Sequence, residues 1–287
     1  MTAVPAPAAL APRAIPDTRA PRLSQRRAAV AAFSGFVIRD LTVLNNNLLR
    51  FLPSAIVQPT LLVFVFTYLF PAIGQGIGGT TGVTTFSTLL LPGIVANSII
   101  FVGIFTVGMN LILELDADEL EDRVLAPAHV STPALAKIVA GALQSQIAGL
   151  IVFPIAAFLP ATGLALQATW PVLLTFMPLC CITSAALGLA LGVVFSPRSG
   201  PWLFSVVALP LSFFGAVFYT WDSLAPVPIL KIAVLANPLL YMSEGLRAAA
   251  VTGVPHLPLA VVYPVLAGFA IVFSTIGVIG FRRRVLK

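Results

Sequence analysis

From Phe51 to Leu113 the chain runs for 63 residues without one Asp, Glu, Lys or Arg. A water-facing fold cannot be built from such a stretch. About 20 consecutive apolar residues cross the hydrocarbon core of a bilayer, so this run has room for two crossings. Further charge-free runs follow: 60 residues from Ile138 to Pro197, 23 from Ser199 to Trp221 and 34 from Ala248 to Phe281. Turn formers divide the two long ones, at Pro71 to Gly82 and at Pro160 to Thr169. The reading is an all-α membrane protein with six transmembrane helices, near 51–72, 86–113, 133–159, 170–195, 200–221 and 258–281. Composition agrees: 9% of residues are charged and 59% hydrophobic, with a mean hydropathy of +1.02, where a soluble domain carries about 25% charged residues.

Lys and Arg are retained on the cytoplasmic side of a membrane and therefore set the orientation. Seven lie before the first span (Arg13, Arg19, Arg22, Arg26, Arg27, Arg39, Arg50), two in 114–137 (Arg123, Lys137), one at Arg198 and four at the C-terminus (Arg282, Arg283, Arg284, Lys287). Only Lys231 and Arg247 fall on the other side. Both termini are expected in the cytoplasm of a multi-pass cell-membrane protein. Tyr68, Trp170, Trp202, Tyr219, Trp221 and Tyr263 sit near span ends, where amphipathic rings favour the interface. Residues 1–24, rich in Ala and Pro, cannot bury a core and read as a disordered tail without the features of a secretory signal. Over 25–50, Val30, Phe33, Val37, Leu41, Leu44 and Leu48 recur at three- and four-residue steps, the pattern of an amphipathic helix lying on the membrane surface. The six-span domain then occupies 51–287. No internal repeat pairs spans 1–3 with 4–6, which disfavours an inverted-repeat carrier.

Six of the ten acidic residues fall within nine positions: Glu114, Asp116, Asp118, Glu119, Glu121 and Asp122. Each charge at mid-bilayer costs about 3 kcal/mol, so this segment is aqueous. From Glu119 the chain reads as one short helix through Leu120, Arg123 and Val124 that ends before Pro127, with acids in its first turn where the helix dipole favours them. Two readings stand: a solvated turn between spans, or a docking element for a basic groove on a soluble partner. Within the spans, Ser184, Gly188 and Gly192 place small residues on one helix face for close approach, inside the protomer or between two. Asn97, Asn110, Gln144 and Gln146 should point to another helix or line a pathway. Glu244 and Arg247, three apart, can pair on one face.

Several stretches, taken in order, resemble the permease subunits of type-2 ATP-binding-cassette exporters. Arg39 to Arg50 followed by Gln58-Pro59 looks like that family's surface helix leading into its first crossing. Glu114 to Pro127, with Leu120 and Glu121, followed by Lys137, is similar to its cytoplasmic coupling loop, although Asp118-Glu119 stands where Gly-Thr is usual. Ala236-Asn237-Pro238-Leu239-Leu240-Tyr241, then Glu244 and Arg247, resembles its Asn-Pro-Leu-Thr-Tyr signature, with Leu240 in place of Thr. The resemblance implies a permease working as a dimer, or with a similar second chain, on soluble ATPases. Glu114, Glu119, Leu120, Glu121, Asp122, Arg123 and Pro127 would form the coupling loop. Asn237, Pro238, Tyr241, Glu244 and Arg247 would belong to short re-entrant helices on the external side before the last span.

The chemistry expected in this chain is limited. A phosphate-binding loop needs Lys after Gly, and Lys137, Lys231 and Lys287 follow Ala, Leu and Leu. No cofactor is expected here, and ATP and Mg would sit on a partner ATPase. His129 and His256 lie in different loops, and Cys180-Cys181 is an adjacent pair in an apolar run, so no metal site is expected. No Gly-x-Ser-x-Gly supports a serine protease. The basic residues lie at chain ends and loops rather than on one face, which excludes nucleic acid. The function expected is export of a hydrophobic or amphipathic substrate, a drug, lipid or glycolipid. An ion-coupled carrier or channel without an ATPase is the alternative, disfavoured because the span interiors hold no ionisable residue. A membrane scaffold is a third.

Overall fold

The computed structural model of the chain describes residues 25–46, 57–69, 73, 79–116, 131–158, 168–195, 204–251 and 253–285. Most of these residues are helical and the rest are turns or irregular backbone, with no strand among them. The helices are α1 (Gln25–Asn46), α2 (57–69, closing on a π segment Val65–Leu69) and α3 (Gly79–Gly103, continued by the π segment Ile104–Met109 and by Asn110–Asp116). Then come α4 (Thr132–Phe158), α5 (Trp170–Val194), α6 (Phe204–Ala208 in π form, then Leu209–Phe213), α7 (Pro228–Ala236), α8 (Pro238–Ala250) and α9 (Leu259–Val285).

Four of these are long and apolar enough to cross a membrane: Thr88–Leu115 in α3, Thr132–Ile155 in α4, Trp170–Val194 in α5 and Leu259–Arg284 in α9. At 1.5 Å per residue their 24 to 28 residues reach about 36–42 Å, more than the roughly 30 Å hydrocarbon core. They coincide with the second, third, fourth and sixth spans read from the charge-free runs, with α3, α5 and α9 running one way and α4 the other. One end of the bundle collects Leu115, Thr132, Val194 and Arg284, and the other Thr88, Ile155, Trp170 and Leu259. We call these the charged end and the capped end. α3 and α5 form the centre: 83% of the apolar window of α3 is buried, against 17% for α9, which packs on α5 from outside.

Of the first span the structure describes 57–69, all helical, and of the fifth 204–221, helical to Phe213. The structure departs from the sequence expectation in two places. The fifth ends at Phe213 instead of running to Trp221: Gly215 follows, and Ala216 takes a φ of 53° that no helix residue adopts. The turn formers between Pro71 and Gly82 marked a loop, yet α3 already starts at Gly79, because an apolar helix propagates through poor helix formers more easily than it nucleates. The expected short helices before the last span are α7 and α8, bent by 95° to each other across Asn237. α1 lies against α4, with Phe33, Val37 and Leu41 half-buried and Val30 exposed. Leu48 and the tail 1–24 fall outside the described residues.

Every spanning helix carries one proline in its interior: Pro92, Pro154, Pro178 and Pro264. Each removes a backbone donor, which a membrane helix tolerates when neighbours restore the balance.

Candidate functional site

At the capped end α8 is the organising element. Its start follows from Ala236-Asn237-Pro238: Pro is pre-set for the first helical position, and the Asn237 side chain accepts from Leu239 N–H at 2.9 Å as an N-cap. The Asn237 amide also donates to Leu211 O at 2.8 Å, tying α8 to α6. Tyr241 donates its hydroxyl to Leu235 O at 3.0 Å, which holds the bend between α7 and α8.

One turn on, Glu244 and Arg247 form an ion pair 2.6 Å long in which both side chains are 0–1% exposed. Both carboxylate oxygens are used. Oε1 accepts from Arg247 Nη1 and from Trp221 N–H at 3.0 Å, and Oε2 accepts from Leu257 N–H at 2.9 Å. Arg247 Nη2 donates to Ala216 O at 3.0 Å, with Tyr219 O at 3.4 Å and Leu89 O at 3.5 Å at the edge of reach. The pair therefore joins α8 to the turn after α6, the capped end of α3 and the approach to α9. A buried pair is weak support for stability as such, but removing one partner strands a charge at a cost of about 3–5 kcal/mol. The turn it holds fits into α3 at Gly93, where a Cβ would collide with Val217 O. Ser212 donates to Asn97 Oδ1 at 2.7 Å, a second tie between α6 and α3. Asn97 is thus in an interhelical bond, whereas Asn110 is exposed.

At the charged end Glu114, the last residue but two of α3, meets Lys137 in the first turns of α4 at 2.6 Å, with both side chains largely covered. The pair bridges the two roots of the acidic segment. Glu119, Leu120, Glu121, Asp122, Arg123 and Pro127 lie outside the described residues. Arg282, Arg283 and Arg284 are at the same end, where Arg284 donates to Phe195 O at 3.2 Å.

Between the ends, the small-residue face of α5 is turned toward α3. A Cβ on Gly188 would come 2.5 Å from Gly103 O, Gly192 faces Gly108, and Ser184 packs at Gly103, so the π segment of α3 and this face approach at backbone distance within one chain. Gln146 accepts from the Cys181 thiol at 3.3 Å, and both cysteines are free and buried. No group of three potential metal ligands occurs among the described residues. Trp221 and Tyr263, expected as interface anchors, have partners inside the protein: the Trp221 indole N–H donates to Lys231 O at 3.1 Å with Lys231 Nζ 4.0 Å above the ring, and Tyr263 shares a 2.6 Å bond with Thr175. Sequence reasoning did not find Ser212 or Ala216. The first had no signal beyond its place in an apolar run, and the second has none at all, since Ala is not a turn former.

Four apolar spanning helices closed at one end by a broken helix pair, with a buried ion pair at its heart, define a multi-pass membrane protein. The chain belongs to the ABC-2 type transporter family, whose model matches residues 41–251. It is therefore the membrane-embedded permease component of an ATP-binding-cassette transporter, a class whose ATPase site lies on a separate subunit. No curated protein matches it.

Proposed function

We propose that this chain is the permease of an ATP-driven exporter, carrying a hydrophobic or amphipathic substrate out of the cytoplasm with energy from a soluble ATPase partner that holds ATP and Mg. The observation that carries the reading is the Glu114–Lys137 pair at the roots of the acidic segment, in a chain of this family. A push on 114–127 would reach α3 and α4 together, because the pair keeps their ends from sliding past each other. The charged end faces the cytoplasm in this reading, supported by Arg282, Arg283 and Arg284 beside it, and the capped end faces outward. α1 serves as the surface helix, and two such chains, or one with a similar second chain, enclose the route. An ion-coupled carrier would need a carboxylate free to exchange a proton or ion, and Glu244 has both oxygens engaged.

The test is charge reversal at Glu119, Glu121 and Asp122 in the complex with its ATPase. ATPase stimulation by the permease should be abolished while membrane insertion stays normal. Unchanged stimulation would remove the docking role of the loop.

A further inference from the structure

The turn after α6 is anchored more heavily than a surface turn requires. Over 212–221 it is held from α3 by Asn97 on Ser212, and from α8 by Arg247 on the carbonyls of Ala216 and Tyr219 and by Glu244 on Trp221 N–H. At its centre Ala216, fully buried, keeps a left-handed φ of 53°, which a residue with a Cβ holds only when its surroundings impose it. Arg247 Nε meets no acceptor among the described residues although the side chain is 0% exposed. Among the described residues the guanidinium thus has a donor in reserve.

These ties are unequal. The Glu244–Arg247 pair is short, fully buried and satisfied on the carboxylate side by two backbone donors, so it is the last contact to yield. The single neutral bond from Ser212 to Asn97 and the Nη2 contacts, the shortest of them 3.0 Å to Ala216 O, each rest on one neutral acceptor and can be exchanged for others. We propose that the Ala216 turn is the hinge of a latch at the capped end: the Asn97–Ser212 and Arg247–Ala216 bonds hold α6 against α3 in the closed state and part when the outlet opens, while α8 carries its Glu244–Arg247 pair through intact. Release lets Ala216 return to an ordinary φ, and Arg247 turns its reserve donor to the carbonyls that move. The latch rests on the exporter reading above, which gives the capped end an outlet to close.

The experiment uses the complete complex of permease and ATPase in proteoliposomes, with Cys180→Ala and Cys181→Ala to remove the native thiols. Asn97→Cys with Ser212→Cys places two thiols across the latch. Ser145→Cys with Ser184→Cys, whose hydroxyls are 3.4 Å apart between α4 and α5, is the control that stays closed. Oxidation should cross-link both pairs in the nucleotide-free complex. With vanadate-trapped nucleotide the 97–212 yield should fall by about an order of magnitude, and the 145–184 yield should not change. Equal 97–212 yields in the two states, in a complex whose ATPase is still stimulated by the permease, overturn the latch alone. Absence of stimulation by the unmodified permease overturns the exporter reading and takes the latch with it. If the double-cysteine variant does not reach the membrane, Ser212→Ala decides: basal ATPase should rise several-fold, and an unchanged rate sinks the proposal.

Discussion

Removing the guanidinium of Arg247 leaves the Glu244 carboxylate buried with two backbone donors and no countercharge, and leaves Ala216 O without its donor. Arg247→Ala should therefore destabilise the protein by about 3–5 kcal/mol, seen as a loss of monodisperse protein on heating in detergent. Arg247→Lys keeps the charge but lacks the fork that serves Glu244 and the Ala216 carbonyl at once, and its melting midpoint should lie between those of the wild type and the alanine variant. A wild-type midpoint for Arg247→Ala would mean that the pair contributes nothing. The partnership of Glu244 and Arg247 was legible from their spacing alone. The rest of the node was not, because Ala216, Tyr219 and Leu89 take part through backbone carbonyls, which every residue has and no sequence pattern marks.

Among the elements, α3, α4, α5 and α9 were legible because length and absence of charge suffice to define a membrane helix. The charge-free run from Ser199 to Trp221 misled for the same reason: a turn clamped from other elements can be as apolar as a span, and what ends α6 is long-range contact rather than local composition. Packing of α3 on α5 depends on backbone approach at Gly188, so Gly188→Val should overpack the contact and cost about 1–3 kcal/mol. Gly268→Ala in α9, where nothing lies within 4 Å of the added Cβ, should be neutral or slightly stabilising. Thermal unfolding of the two variants side by side gives the comparison. At the charged end, Lys137→Glu sets two carboxylates against each other and should lower ATPase stimulation by the permease. The swap Glu114→Lys with Lys137→Glu should recover a measurable part of it, which a purely steric role for Lys137 would not allow.

For the whole molecule, orientation is open to direct measurement. Ile229, 83% exposed on α7, when changed to Cys should react with a membrane-impermeant maleimide added outside intact cells, whereas a Cys at Arg283 should react only after the membrane is opened. The reverse pattern would invert the topology and with it the direction of transport. The interior prolines add a mechanical asymmetry. Pro92, Pro154, Pro178 and Pro264 all fall in the half of their helices nearer the capped end. Near the charged end α4, α5 and α9 keep every rung of their backbone ladders, while α3 passes there through its π segment Ile104–Met109. In the opposite half each of the four lacks one rung at its proline, so a load entering at the charged side meets a compliant layer common to all four rods only beyond mid-depth.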